Sequence, residues 1–169
     1  MPTAIQDAIP HNHCWGCGTL NPSGLRLKSY PDGDGTVCRF QPAPEYMAGP
    51  THVVYGGIIA AVVDCHSICT AIADSYRAAG RELGSEPLLW SVTASLKVDY
   101  LAPAPISEPM ELRARVRESS GRKRIVECTV RAGGRECARA EVVAVEVPDA
   151  WRTPGGRAIA GSPGAGSAR

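Results

Sequence analysis

Aromatic side chains are scarce in this 169-residue chain, 5% in all, with a single phenylalanine. Proteins that hold single-stranded nucleic acid stack bases on such rings. The formal net charge is +1, so no basic field draws in nucleic acid or an anionic membrane surface. Neither partner is expected. No basic segment followed by an apolar run opens the sequence, so no secretory signal is expected. Nor is there an uninterrupted apolar run of the ~20 residues that a membrane span needs. The longest candidate, from Tyr55 to Ala73, is interrupted by Asp64, His66 and Ser67, with Asp74 just beyond. There is no internal repeat. Cysteine is not scarce: seven are present. Cys65 and Cys69 fall in the apolar run, and Cys38, Cys128 and Cys137 in strand-like segments. Thiols so placed suit a reducing, cytoplasmic setting better than a disulfide framework.

The length suits one domain with tails. Residues 1–13 are polar, carry Pro2 and Pro10, and are expected to be irregular. Gly24–Tyr30 alternates as a strand, Pro31–Gly35 is a turn, and Thr36–Gln41 is the partner strand of a hairpin. Pro42, Pro44 and Pro50 keep the next stretch extended. A helix follows from about Gly57 to Ala79. Four strands come after it, over 88–101, 110–118, Lys123–Arg131 and Arg135–Val147. Ser119–Arg122 and Gly133-Gly134 form the last two turns, and such short turns imply antiparallel neighbours. The tail from Pro148 has few large apolar residues and is expected to be disordered. One helix that is apolar on nearly every face must be buried by one long sheet, and the simplest solution curls the sheet around it.

Asp64 is the informative residue of that helix. An ionised carboxylate among apolar neighbours is costly unless it is paired, hydrogen-bonded or in use. A structural role, capping a neighbouring loop, is the plainer reading. Gly56-Gly57 at the helix start favours the functional one, because the first N–H groups of a helix lack internal partners and carry partial positive charge. His66, offset by two positions, points elsewhere on the helix and reads as a packed or dimer-facing residue.

Near the N-terminus, His11, His13, Cys14 and Cys17 supply four possible zinc ligands within seven residues. Zinc sites usually draw two ligand pairs from separate turns, and His11 and His13 crowd Cys14. The expectation is therefore no metal, with a glycine-rich turn whose Trp15 plugs the end of the barrel.

Several pieces, in order, resemble the hotdog-fold acyl-CoA thioesterases, particularly the phenylacetate-degradation and 4-hydroxybenzoyl-CoA type. Cys14-Trp15-Gly16-Cys17-Gly18, with Asn21-Pro22-Ser23-Gly24-Leu25, resembles a lead-in of one branch. Tyr55-Gly56-Gly57, six residues and Asp64 resemble the core motif His-Gly-Gly…Asp, with Tyr55 in the place of the histidine. Thr93–Pro103 resembles the strand after the helix, and Gly121-Arg122-Lys123 the hairpin whose basic residues approach coenzyme A. Gly49 stands where some members carry an asparagine. The resemblance spans residues 14–147. It implies an α+β hotdog fold, a long central helix wrapped by a curved antiparallel sheet of about six strands.

It also implies hydrolysis of an acyl thioester without metal or cofactor, coenzyme A being part of the substrate. Asp64 would be general base or nucleophile, and an N–H of Gly56 or Gly57 the oxyanion donor. Thr93 would help place water, Tyr55 would stand beside the carbonyl or simply pack, and Ser95, Arg122 and Lys123 would contact the substrate. Thr93 and the basic hairpin residues, Arg124 among them, are equally what an ordinary strand and a solvated turn carry. The acyl group is expected to be small and aromatic or of short to medium length. Side chains such as Ile68, Ile72 and Trp90 would form the floor of its tunnel.

The family's usual assembly is a homodimer, often paired into a homotetramer. The residues lead to a dimer independently. Gly57 and Asp64 are seven residues apart, roughly 10 Å along a helix axis, so one thioester cannot touch both in one chain. A two-fold dimer can set the glycines of one chain opposite Asp64 of the other. A non-catalytic acyl-CoA-binding protein, an enoyl-thioester hydratase and a zinc-bearing interaction module remain the alternatives.

Overall fold

The computed structural model describes residues 3–152. Its elements are α1 (Ile5–Ala8), β1 (Ser29–Asp32), β2 (Gly35–Phe40), α2 (Gly56–Ala78), β3 (Trp90–Tyr100), β4 (Met110–Ser120), β5 (Lys123–Ala132) and β6 (Arg135–Val147). Short 3-10 turns lie at Pro44–Tyr46 and Asp149–Arg152. The six strands form one antiparallel sheet in the order β1-β2-β4-β5-β6-β3. It wraps α2, giving the hotdog architecture expected from the sequence.

Helix α2 has no proline and a defined end. Gly80 follows it at φ +63, donates to Arg77 O (3.0 Å), and Arg81 N–H reaches back to Tyr76 O (2.9 Å). These two bonds satisfy the last carbonyls and need a left-handed residue, which glycine supplies without a Cβ clash. By length and composition α2 is apolar enough to cross a membrane. Here it is the core. Val62, Val63, Ala71, Ile72 and Tyr76 pack against Met110, Leu112, Val126, Val130 and Val142, all at most 2% exposed. On the outer face of the sheet, Arg117 of β4 bonds Glu127 (3.2 Å) and Glu141 (2.8 Å).

Three sequence expectations need correction. The first strand does not run over Gly24–Tyr30. Arg26 takes φ +56, and Leu25 and Leu27 N–H groups bond Trp15 O (2.9 Å) and Gly16 O (3.1 Å). That segment is tied to the Cys14–Cys17 loop, so the strand begins only at Ser29. Residues 1–13 are not wholly irregular either, because Ile5 and Ile9 enter the core and a helical turn forms between them. Trp15 is no plug: it is 50% exposed. The expected disordered tail lies outside the described residues from 153 onward, and Asp149–Arg152 is a 3-10 turn.

His66 is fully buried. Its Nδ1 shares a hydrogen bond with Ser29 Oγ (2.8 Å) and its Nε2 one with Thr36 Oγ1 (3.3 Å). Gln6 Nε2 donates to the same Ser29 Oγ (3.0 Å), and Thr36 bonds Thr70 (2.6 Å). Burial pushes the imidazole down to about 4, so it is neutral and structural. Ser29→Ala leaves His66 Nδ1 without a partner and takes one of two from Gln6 Nε2, which keeps Cys69 Sγ (3.3 Å). We expect it to destabilise the fold by about 1–3 kcal/mol, lowering Tm by several degrees in a thermal melt. An unchanged Tm would show that the network contributes nothing.

Candidate active site

Asp64 lies midway along α2, half-buried. Thr93 Oγ1 donates a short hydrogen bond to its Oδ1. That contact depends on an irregularity. Strict alternation would put Thr93 on the same face as Ser95 and opposite Leu96. Instead Ala94 is bulged out of the β3–β6 ladder, so Thr93 pairs with Ala144 and Ser95 with Val143. Ala144 belongs with the buried Val142 and Ala140, on the face toward α2. The bulge therefore turns Thr93 in to the carboxylate and leaves Ser95 exposed on the opposite face, away from Asp64. Bulges re-aim a side chain in this way.

Asp64 and Thr93 share a small cavity of about 170 Å³ with Ile9, Asn12, Ile68, Ile72 and Trp90. Ile68, Ile72 and Trp90 are the side chains that the sequence suggested as a tunnel floor. Burial raises the Asp64 pKa above the ordinary carboxylate value, against the hydrogen bond from Thr93, with a further upward push from the Cys17 sulfur. A carboxylate so placed is a better base than a solvated one.

The helix start forms a second cluster. Tyr55 caps α2 without a side-chain hydrogen bond. Among the described residues, neither Gly56 N–H nor Gly57 N–H meets an acceptor. The Tyr55 ring lies over Gly57, where a Cβ would stand 2.3 Å from its Cε1. Position 57 is therefore closed to any side chain while Tyr55 lies there. Tyr100 Oη donates to Gly56 O (2.7 Å), a contact between residues 44 apart that the Thr93–Pro103 segment does not reveal by itself. Beside this pair opens a cleft of about 380 Å³, lined by Val53, Gly56, Ile59, Tyr100, Leu101 and Pro103. Gly49 is exposed with open space around it.

The structure thus brings Asp64 to Thr93, and Tyr55 to Gly56 and Gly57, as two separate half-sites on one helix. Arg122 and Lys123 are exposed on the β4–β5 hairpin and meet neither. Arg124 is not a surface cation: it is 7% exposed and its Nε bonds Asp74 Oδ2 (3.0 Å).

Comparison with known proteins identifies the family. The family model described as Thioesterase superfamily matches residues 51–138, more than half of the chain and all of α2. The chain belongs to the thioesterase superfamily. A thioesterase superfamily protein of Shewanella loihica is 36% identical, covering 85% of this chain and 99% of that one, with a TM-score of 0.65. The Escherichia coli PaaI protein of the phenylacetic acid degradation operon is 13% identical, covering 73% of this chain and 81% of that one at a TM-score of 0.60, and shares the fold. The acyl-coenzyme A thioesterase THEM4 of Xenopus laevis is 32% identical over 96 residues, 57% of this chain. This thioesterase-superfamily chain therefore matches only 37% of that relative's length.

Proposed function

We propose that this protein hydrolyses acyl-CoA thioesters, with Asp64 as the catalytic carboxylate. The observation that carries this is a half-buried Asp64 held by Thr93 at the edge of an apolar cavity, two turns from an uncapped Gly56-Gly57 helix start. Hydrolysis needs a base to activate water and donors for the charge that develops on the carbonyl oxygen. Asp64 takes a proton from water as the oxygen attacks the thioester carbon, and the C–S bond then breaks. The leaving group is a thiolate, far less basic than the alkoxide of an oxygen ester, so a strong general acid is not required. Direct attack by the Asp64 carboxylate, with water cleaving the anhydride, uses the same groups.

Because the donors and the base are separate in one chain, the working site is shared between two copies, Gly56 and Gly57 of one facing Asp64 of the other. The protein is proposed to be a homodimer, with pairing into a tetramer as the further possibility, and to work in the cytoplasm, where its seven cysteines, all free, stay reduced. Arg122 and Lys123, exposed on the β4–β5 hairpin, are proposed to meet coenzyme A phosphates. The Asp64 cavity, about 170 Å³, is smaller than the ~300–1,000 Å³ of pockets for drug-sized ligands, which suits a small aromatic or short acyl group. A hydratase is disfavoured, because His66 is enclosed by Ser29 and Thr36 and cannot join Asp64 at a substrate.

The test is free-thiol release from a panel of short, long and aromatic acyl-CoAs. Turnover of the short or aromatic members above the long ones is expected. Saturable binding with no turnover of any member would instead mark a non-catalytic acyl-CoA-binding protein.

A further inference from the structure

Two segments distant in sequence bring sulfur together beside the Asp64 cavity. The Sγ atoms of Cys14, Cys17 and Cys65 all lie within 4.8 Å of one another. Cys14 Sγ and Cys65 Sγ are 3.7 Å apart. Thioester hydrolysis as proposed above uses none of these thiols. Small apolar packing would explain the buried Cys17 and Cys65, but Cys14 is exposed.

The loop that carries two of the sulfurs is tightly built. Cys14 N–H donates to Asn12 Oδ1 (3.0 Å), and Gly18 N–H to Cys14 O (2.7 Å). A Cβ at Gly16 would stand 2.1 Å from Cys65 Sγ, so the loop rests directly on the helix sulfur and only glycine permits that approach. Asn12 Nδ2 donates to Cys17 Sγ (3.7 Å), so a residue outside the sulfur group also holds that side chain.

We propose that Cys14, Cys17 and Cys65 form a binding site for a thiophilic cation of the zinc type. Three points no more than 4.8 Å apart have a common centre within about 2.8 Å of each. Zinc–thiolate bonds of ~2.3 Å at tetrahedral angles put sulfurs ~3.8 Å apart, close to the 3.7 Å between Cys14 and Cys65. The site also answers the objection that a lone Cys-x-x-Cys raises, because Cys65 brings a ligand from a separate element. All-sulfur ligation selects zinc-like over oxygen-seeking cations such as magnesium. Binding displaces the thiol protons into solvent as the metal–sulfur bonds form. His11 and His13, both exposed, take no part. A fourth ligand comes from Cys69, which borders the same cavity, or from water. The bound ion would fasten the Cys14–Cys17 loop to α2 next to Asp64.

The test is titration of the full chain, reduced and freed of metal by chelation, with Co²⁺ as a spectroscopic probe and then with Zn²⁺. We expect one equivalent of Co²⁺ to give the sulfur-to-cobalt charge-transfer band and the visible bands of tetrahedral thiolate cobalt, with Zn²⁺ bleaching both. Zn²⁺ should also raise Tm of the native chain. Cys14→Ser and Cys65→Ser should lose the bands while circular dichroism shows them folded, and the double variant His11→Ala/His13→Ala should keep them. Absence of the bands in the native chain, their survival in Cys65→Ser, or their loss in the histidine double variant would overturn the proposal. The readout is independent of thioester turnover, so its failure would leave the hydrolase reading standing.

Discussion

Asp64→Asn is expected to lower kcat for the preferred acyl-CoA by a factor of ~10²–10⁴, the range that a positioned general base supplies, with KM little changed. The substitution is chosen for what it keeps. Asparagine has the same shape, and its amide oxygen still accepts from Thr93 Oγ1, which now donates to Asp64 Oδ1. What is lost is the capacity to take a proton from water or to attack the thioester carbon. The side chain is half-buried and, among the described residues, its only hydrogen-bond partner is Thr93, so the fold should survive, and circular dichroism will show whether it does. Binding of coenzyme A through other contacts should persist, because a group that acts in the transition state contributes to kcat rather than to ground-state affinity. A variant as active as the native chain would remove Asp64 from the chemistry and leave it as a structural carboxylate held by a strand threonine.

The fold was legible because its signals are periodic and strong. An apolar helix with Gly56-Gly57 before it and Gly80 after it has clear ends, and the observed Gly56–Ala78 differs by one residue at each. Strand β6 begins and ends where alternation placed it. Less legible were features set by contacts between distant segments. Nothing in Gly24–Tyr30 says that Leu25 and Leu27 will bond the loop at Trp15 and Gly16 rather than a strand. The short turns placed β4, β5 and β6 side by side, yet the pairing of β3 with β6 instead of β4 depends on the whole sheet.

The candidate site divides in the same way. Asp64 and the glycines stood out locally, since a carboxylate in an apolar helix and a glycine pair at its start are both unusual. Thr93 entered through the family resemblance alone, and the bulge at Ala94 that turns it to Asp64 breaks the very alternation by which strands are read. The same bulge sends Ser95 outward. Arg124 looked like its exposed neighbours Arg122 and Lys123 but faces Asp74 inside, because Arg124 pairs with Ala144 on the covered side of the sheet. The sulfur group was half visible: Cys14 and Cys17 share a motif, whereas Cys65 joins them across 51 residues.

Leu96→Asp is expected to turn the protein into a folded monomer and to abolish turnover, and it rests on the proposed shared site. β3 is the edge of the sheet and is eleven residues long. A long edge is normally blunted by unbalanced charge or proline. Here there is no proline, and Lys97 and Asp99 neutralise each other at 3.3 Å. Leu96 is 38%, Tyr100 54% and Leu101 52% exposed, on or next to that edge. Such a strand suits antiparallel pairing with its own copy, which would carry one Gly56-Gly57 toward the other Asp64. In the single chain Leu96 already meets water, so an aspartate there should change stability by no more than about 0.5 kcal/mol. In a dimer the same carboxylate would be buried without a partner on both sides of a two-fold interface, at a cost of several kcal/mol per charge. Sedimentation should therefore show a dimer for the native chain and a monomer for the variant, with circular dichroism unchanged. A monomeric variant that still turned over acyl-CoA at the native rate would mean that one chain holds a complete site. A variant that stayed dimeric and active would move the interface away from β3, and the pairing of glycine donors with Asp64 would need a different geometry.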